Sequence, residues 1–84
     1  TPTKIEILEE HGNLSPITRF LDSNPSGGVH HVCVKVESVA AAVAKAGECG
    51  VRVLGEVKVG AHGKPVIFLH PKDTGGVLIE LEQR

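Results

Sequence analysis

Residues 27–36 read GGVHHVCVKV, two glycines followed by an alternating segment that is rich in valine. This composition predicts a β-strand that is entered from a glycine turn, with His30 and His31 near its start. Because successive side chains of a strand point to opposite faces, His30 shares its face with branched aliphatic side chains. The opposite face is mixed, and it holds Val29, His31, Cys33 and Lys35. The aliphatic face suits a core under a helix, whereas the mixed face suits a pocket.

The chain is short and nearly neutral, with 84 residues, a formal net charge of −1 and 2% aromatic residues. This length allows one domain, which is expected to need added contacts from a metal or another subunit. There is no basic stripe or aromatic set for a nucleic acid, and no apolar run reaches the ~20 residues of a membrane span. The chain begins at Thr1 and contains no methionine, so we expect a piece of a longer protein or a processed form.

The two cysteines, Cys33 and Cys49, match no zinc-binding spacing and give no disulfide framework. We expect both to be buried, reduced thiols, because one lies in mid-strand and the other at the end of a helix. Reduced thiols are typical of a reducing compartment.

Hydrophobic periodicity predicts an α+β fold with a mostly antiparallel sheet. Two helices are expected, one from Ser15-Pro16 to Asn24 and one from the N-cap Ser38 to Gly50. Strands are expected at residues 4–9, 29–36, 51–54, 65–69 and 77–83. Residues 57–59 either continue the third of these strands or pair separately, because Gly55 interrupts the pattern.

Three of the predicted strands share one design, in which an aliphatic face is opposed by one good metal ligand in the middle of the other face. The ligands are Glu6, His31 and Glu80. Imidazole nitrogen and carboxylate oxygen suit Zn²⁺, Co²⁺, Mn²⁺, Ni²⁺ or iron. Alternation also places polar residues on any solvated face of a sheet, so the pattern alone leaves a metal site and a solvent-exposed face both open.

The other histidines and several charged residues receive less specific predictions. His30 is expected to be a core residue with one ring nitrogen hydrogen-bonded. His62 and Lys64 lie in residues 60–64, which either cradle a phosphate through backbone N–H groups or form a plain mobile loop. Surface positions are expected for His11, His62, His70, Glu9, Glu10, Glu82 and Arg84.

Three segments carry a specific resemblance: GGVHHV at residues 27–32, GAHGKPVIFLHPKD at residues 60–73 and GGVLIELEQ at residues 75–83. Together they resemble the methylmalonyl-CoA epimerase family of the vicinal oxygen chelate superfamily, which is also called glyoxalase-like. The resemblance implies a fold of paired βαβββ modules that cup a divalent metal. It implies that residues 27–84 form the C-terminal βαβββ module, and that residues 1–26 hold the last strand of the preceding module and a helical linker.

The same resemblance implies a metal centre. His31, Glu80 and Glu6 match the family's ligand positions, with Co²⁺ as the expected metal and Zn²⁺, Mn²⁺ or Ni²⁺ as alternatives. The family's first histidine ligand and its proposed glutamate base would lie upstream of Thr1, so no catalytic residue is assigned in this chain. We therefore expect these 84 residues to be an incomplete piece of the enzyme that is inactive alone.

The implied activity is interconversion of (2R)- and (2S)-methylmalonyl-CoA by proton abstraction next to the thioester, a step of propionyl-CoA breakdown. The expected partner is a CoA-ester substrate, with Lys64 and Lys72 as candidates for binding its phosphates. We expect a homodimer, in the mitochondrial matrix of an animal or the cytoplasm of a bacterium. The alternative is a single module that binds a metal or ligand as a dimer without catalysis, because a lone module leaves an exposed sheet edge. A different enzyme of the superfamily, such as a glyoxalase, is disfavoured by the match at residues 60–73.

Overall fold

The computed structural model of the protein describes residues 4–9 and 17–84. The chain forms two compact units, Thr1–His30 and His31–Arg84, and the second of them holds the sheet. In chain order the elements are α1 (Thr18–Ser23), β1 (Val32–Val36), α2 (Val39–Glu48), β2 (Val53–Val59), β3 (Pro65–Leu69), a 3₁₀ turn (Pro71–Asp73) and β4 (Ile79–Gln83).

The first unit lacks the strand that alternation predicts at residues 4–9. These residues have no regular secondary structure, and Ile5 and Ile7 are 92% and 90% exposed. A strand is stable when a neighbouring strand accepts its backbone hydrogen bonds, and none of the described strands pairs with this segment. The prediction of a strand is therefore wrong here, although the apolar alternation that prompted it is present.

Helix α1 is shorter than predicted and begins after Ile17. Its predicted N-cap and first residue, Ser15-Pro16, lie outside the described residues, as does His11. The ring of Phe20, within the helix, contacts His30 edge-to-face with centroids 5.3 Å apart. His30 is thus half-buried against an aromatic ring, and it precedes the strand on whose aliphatic face it was expected.

Helix α2 follows the sequence pattern closely. Ser38 is its N-cap, and the hydroxyl accepts a hydrogen bond from the Ala41 N–H at 3.1 Å. Gly50 follows the C-cap with φ +79°, a left-handed conformation that glycine adopts without strain. Neither this helix nor any other in the described residues is long and apolar enough to cross a membrane.

The second unit contains one mixed four-stranded sheet with the order β1-β4-β3-β2. β1 runs parallel to β4, whereas β3 is antiparallel to both β4 and β2. Together with α2 this confirms the predicted βαβββ module and the mostly antiparallel sheet. β1 and β4 both begin later than predicted, at the register partners Val32 and Ile79. β2 continues through Gly55, which has φ +81° and lies where the pairing with β3 shifts register.

The aliphatic face of the sheet packs under α2, as alternation predicts. Val39, Ile67 and Leu81 form the buried centre, and each is at most 8% exposed. Partly buried side chains surround them: Val36, Ala42, Val43, Leu69 and Ile79. The core therefore occupies one side of the sheet and leaves the other side for polar groups.

Both cysteines are free and exposed, so the prediction of buried thiols is wrong. Cys33 lies in β1, which is an edge strand of the described sheet. Cys49 is the C-cap of α2. An edge strand and a helix end leave their side chains open to solvent, which periodicity alone does not reveal.

Candidate functional site

The polar face of the sheet is the face that carries Cys33, Val66, Phe68, Glu80 and Glu82. Across β1 and β4, Cys33 stands opposite Glu80. Across β3 and β4, Phe68 stands opposite Glu80 and Val66 opposite Glu82. β4 thus lies between β1 and β3 and presents two carboxylates on this face at alternate positions, Glu80 and Glu82.

His31 comes directly before β1 and brings its imidazole to the first of these carboxylates. Its Nε2 lies 3.1 Å from Oε1 of Glu80, with the two side chains 26% and 16% exposed. The two groups are therefore within ion-pair distance of each other. The ring also meets Phe68 edge-to-face, with centroids 5.9 Å apart. The structure therefore brings together two of the three residues that the sequence predicts as metal ligands.

The Cys33 thiol is a neighbour of Glu80 on the polar face. Partial burial of the thiol, followed by the negative charges of Glu80 and Glu82 and a hydrogen bond to Glu80, raises the pKa of Cys33 to about 11. The thiol is therefore protonated near neutral pH and serves Glu80 as a weak hydrogen-bond donor.

The spacing of His31 and Glu80 fits a shared divalent ion. Adjacent ligand atoms about 2.1 Å from an octahedral ion stand about 3.0 Å apart, and Nε2 and Oε1 are 3.1 Å apart. Glu6 belongs to the first unit, where it is exposed. Across residues 4–9 and 17–84, no three His, Cys, Asp or Glu side chains form a group that could hold a metal ion. The described chain thus presents two ligands of a candidate site.

Glu82 is a residue of this face that sequence reasoning missed. It is expected to be an exposed charge but is 5% exposed, the one buried polar residue of the described chain. Its Oε2 lies 2.9 Å from Nδ1 of His62. Alternation does place Glu82 on the face of Glu80, but its burial depends on how residues 60–64 fold, which no periodic pattern reports.

Residues 60–64 form a tight turn. The Gly60 N–H donates to the Lys64 carbonyl at 2.9 Å, and the Gly63 N–H donates to the Gly60 carbonyl at 3.0 Å. These two amides are therefore used inside the turn, and the His62 side chain contacts a carboxylate. The exposed charge of Lys64 is one part of the predicted phosphate cradle that the turn leaves available.

The two lysines predicted to bind CoA phosphates lie exposed at opposite ends of β3. The strand alone spans roughly 17 Å at 3.4 Å per residue, so Lys64 and Lys72 cannot hold the same phosphate group. The strand register places Lys72 towards the Glu80 end of the polar face and Lys64 towards the Glu82 end.

The turn that carries Lys72 is fastened to the residue before β2. Arg52 donates to Asp73 from Nε at 2.8 Å, from its backbone N–H at 3.0 Å and from Nη2 at 3.2 Å. These hydrogen bonds lower the pKa of Asp73 to about 2 from an ordinary value of 3.8. His70 caps the same turn, because its Nδ1 accepts from the Lys72 N–H at 3.2 Å. The turn that carries Lys72 is therefore fixed by hydrogen bonds from Arg52 and to His70.

Comparison with known proteins relates this chain to one superfamily. Residues 1–68 match the family model described as Glyoxalase/Bleomycin resistance protein/Dioxygenase superfamily. The ethylmalonyl-CoA/methylmalonyl-CoA epimerase of Cereibacter sphaeroides is 59% identical over 83 residues, covering 96% of this chain and 62% of that protein. The mitochondrial methylmalonyl-CoA epimerase of Homo sapiens is 57% identical over 82 residues, covering 96% of this chain and 47% of that protein.

Solved structures give the same relationship. A variant of Streptomyces coelicolor methylmalonyl-CoA epimerase in complex with 2-nitronate-propionyl-CoA matches with a TM-score of 0.74 and 40% identity, covering 84% of this chain and 49% of that one. This chain thus spans about half the length of that structure and of the human relative. The agreement of sequence and structure supports the glyoxalase-like fold.

Proposed function

Because the chain belongs to the Glyoxalase/Bleomycin resistance protein/Dioxygenase superfamily, we propose that the protein carrying it is a methylmalonyl-CoA epimerase. The observation that supports this most is the pair of His31 and Glu80, whose Nε2 and Oε1 are 3.1 Å apart on the polar face. Relatives at 59% and 57% identity are named for this activity. The activity is proposed for the complete protein, because those relatives extend well beyond the region that this chain matches.

The proposed reaction interconverts (2R)- and (2S)-methylmalonyl-CoA by removing one proton and returning one to the opposite face. The reacting carbon stands between a thioester and a carboxylate, and negative charge develops on the oxygens of these groups. Epimerisation requires a proton-transfer group on each face of that carbon. We expect the base upstream of Thr1 and assign neither proton-transfer group within this chain.

His31 and Glu80 are the residues of this chain that would hold a divalent ion, with Glu6 as a third candidate. Such an ion, when bound, polarises the substrate oxygens and stabilises the charge that develops there by several kcal/mol. The chain itself orients the ligands: the His31 ring contacts both Glu80 and Phe68, and Cys33 hydrogen-bonds Glu80 from β1. We propose Co²⁺ as the ion, with Zn²⁺, Mn²⁺ or Ni²⁺ as alternatives for the same donors.

We also propose which residues bind the CoA moiety of the substrate and in which compartment the protein works. Lys64 and Lys72 are the candidates for the CoA phosphates, each as a point charge on an exposed loop or turn. An animal protein would work in the mitochondrial matrix, in line with the human relative that is named mitochondrial. A bacterial protein would work in the cytoplasm.

The proposal is tested by proton exchange at the reacting carbon of methylmalonyl-CoA in D₂O. The complete protein loaded with Co²⁺ should replace this proton by deuterium, followed by ¹H NMR, and convert pure (2R) substrate into a mixture of epimers. Chelation should stop the exchange and added Co²⁺ should restore it. A complete protein that binds Co²⁺ and substrate but leaves the (2R) form unexchanged would show that the proposal is wrong.

The isolated 84-residue chain provides a matched comparison. With Co²⁺ it should exchange the proton no faster than buffer, because the proposed ligand set and base are incomplete in it. Robust turnover by this chain would contradict the incomplete-site proposal while leaving the reaction itself in place.

A second candidate function is that of a module which pairs with another copy and binds a ligand without catalysis. The observation in its favour is apolar exposure on β1, an edge strand of the described sheet, where Val32 and Val34 are 43% and 44% exposed. An uncovered edge strand is a template for pairing. Metal titration with analytical ultracentrifugation separates the candidates. A non-catalytic dimer would bind one ion per two chains through His31 and Glu80 of both copies, and would show no proton exchange.

A further inference from the structure

Glu82 and His62 form a second carboxylate–imidazole pair on the polar face, and the proposed reaction does not use it. The Glu82 side chain is 6% exposed, whereas the His62 side chain is 65% exposed. Burying a carboxylate costs free energy unless a partner compensates it. The partner is Nδ1 of His62 at 2.9 Å, so a buried charge holds one exposed ring in place.

The pair also fixes the hydrogen-bonding roles of the His62 ring. A carboxylate accepts hydrogen bonds and does not donate them, so His62 donates from Nδ1. In the neutral ring Nε2 is then an acceptor, and it makes no hydrogen bond to another residue of the described chain. The neutral His62 ring therefore offers Nε2 as one exposed acceptor beside Glu82.

The loop that carries His62 is held by its own packing as well. A Cβ at Gly60 would stand 2.8 Å from Cγ1 of Val66, so the loop backbone lies directly on β3. The hydrogen bond from the Gly60 N–H to the Lys64 carbonyl closes the turn. The position of His62 is thus defined by the packing of its loop together with its bond to Glu82.

The spacing of the two pairs along β4 matches the spacing of two groups in an acyl-CoA. Alternate residues of a strand, such as Glu80 and Glu82, are roughly 7 Å apart. In an acyl-CoA, the first amide of the CoA arm is five bonds from the carbon next to the thioester carbonyl, roughly 6 Å in an extended chain. A substrate whose reacting carbon lies at Glu80, and whose CoA arm runs along β4 towards Glu82, brings this amide to the level of Glu82 and His62.

We propose that His62 binds the amide N–H of the CoA arm nearest the thioester, and that Glu82 is a positioning residue that acts through His62. The inference rests on the proposed function, because it requires the reacting carbon to lie beside His31 and Glu80. A CoA arm that runs from Glu80 towards Glu82 continues towards the end of β3 that carries Lys64. The same inference therefore favours Lys64 for the CoA phosphates.

The test uses the complete protein, methylmalonyl-CoA and matched variants. His62→Asn keeps a donor near the Nδ1 position for Glu82 and removes the Nε2 acceptor. We expect this variant to raise KM and the Kd for methylmalonyl-CoA about three- to tenfold, the effect of one lost hydrogen bond, with kcat and Co²⁺ affinity unchanged. Glu82→Gln should change KM in the same direction. Glu56→Gln, at an exposed carboxylate of β2, should leave KM unchanged.

A truncated substrate sharpens the comparison. The methylmalonyl thioester of ethanethiol retains the reacting carbon and lacks the amide of the CoA arm. Wild type and His62→Asn should handle this compound with equal kcat/KM, because the lost contact does not exist in it. A variant that is impaired equally on both substrates would act through general damage to the site, and this result would overturn the inference.

The remaining outcomes are equally distinct. Equal KM and Kd for methylmalonyl-CoA in wild type and His62→Asn would overturn the inference on its own. A wild-type protein that binds methylmalonyl-CoA without epimerising it would refute the proposed reaction. The ratio of the Kd values of wild type and His62→Asn for methylmalonyl-CoA would still test whether His62 binds the CoA arm. Should His62→Asn fail to fold, Glu82→Gln carries the same comparison, because glutamine preserves the buried volume while its neutral amide accepts a weaker hydrogen bond from His62 than the carboxylate does.

Discussion

Arg52 donates three hydrogen bonds to the Asp73 carboxylate, two from its guanidinium and one from its backbone N–H. The side-chain hydrogen bond is the largest cause of the lowered pKa of Asp73, about 2, and the backbone hydrogen bond is the next. A carboxyl whose pKa is lower in the folded than in the unfolded state stabilises the fold above the unfolded pKa. That stabilisation is lost as the pH falls through the folded pKa.

We therefore expect Arg52→Ala to destabilise the protein at neutral pH and to have a much smaller effect at pH 2, where the Asp73 carboxyl of the folded protein is about half protonated. The difference in unfolding free energy between wild type and variant should be constant above about pH 5 and should shrink from about pH 4 downwards. Urea unfolding across this range measures the difference. Lys58→Ala, at an exposed cation of β2, is the control. A difference that persists undiminished at pH 2 contradicts the role given to the Asp73 carboxylate.

A second prediction concerns the close approach of Gly60 to Val66. A methyl group at residue 60 would lie 2.8 Å from Cγ1 of Val66, which is 6% exposed. Gly60→Ala should destabilise the protein by about 1–3 kcal/mol, the usual range for overpacking. In the double variant Gly60→Ala/Val66→Ala the loss should be smaller than the sum of the single losses, because the clash is relieved. Strict additivity in urea unfolding would mean that the loop shifts freely away from β3.

A third prediction compares two glycines at the end of α2. Gly47 lies within the helix, and a Cβ there meets nothing within 4 Å, whereas Gly50 has φ +79°. Gly47→Ala should stabilise the protein by about 0.5–1 kcal/mol, because alanine loses less backbone freedom on folding. Gly50→Ala should destabilise it by about 1–2 kcal/mol, since an L-residue is strained in this conformation. Thermal unfolding of both variants measures the two changes in stability. Changes of equal sign would contradict a helical Gly47 followed by a left-handed Gly50.

The features that the sequence predicts correctly are those set by local periodicity. Periodicity places Val39 on the buried face of α2 and Leu81 on the aliphatic face of β4, and both residues belong to the core. The cap at Ser38 and the left-handed Gly50 are read from single residues, because their roles depend on the adjacent backbone alone. The closeness of His31 and Glu80 follows from the same alternation once β1 pairs with β4.

The features that the sequence does not predict depend on which segments meet. β1 begins at Val32 because its partner strand begins at Ile79, and no pattern in either segment marks that limit. The burial of Glu82 depends on a loop that comes from a different part of the chain and covers it with His62. Residues 4–9 alternate like a strand but have none of the described strands to pair with. Each of these differences comes from contacts between segments that are distant in the sequence, which a local pattern of residue types does not reveal.

The last prediction separates the two adjacent histidines. In the complete protein, His31→Ala and Glu80→Ala should each weaken Co²⁺ binding by more than about a hundredfold, because loss of a ligand exceeds the 10–100-fold effect of its supporting contacts. His30→Ala should retain Co²⁺ and lose about 1 kcal/mol of stability with the edge-to-face contact to Phe20. Isothermal titration with Co²⁺, metal analysis of the purified variants and thermal unfolding provide the readouts. If His30→Ala loses the metal while His31→Ala keeps it, the assignment of the two imidazoles is reversed.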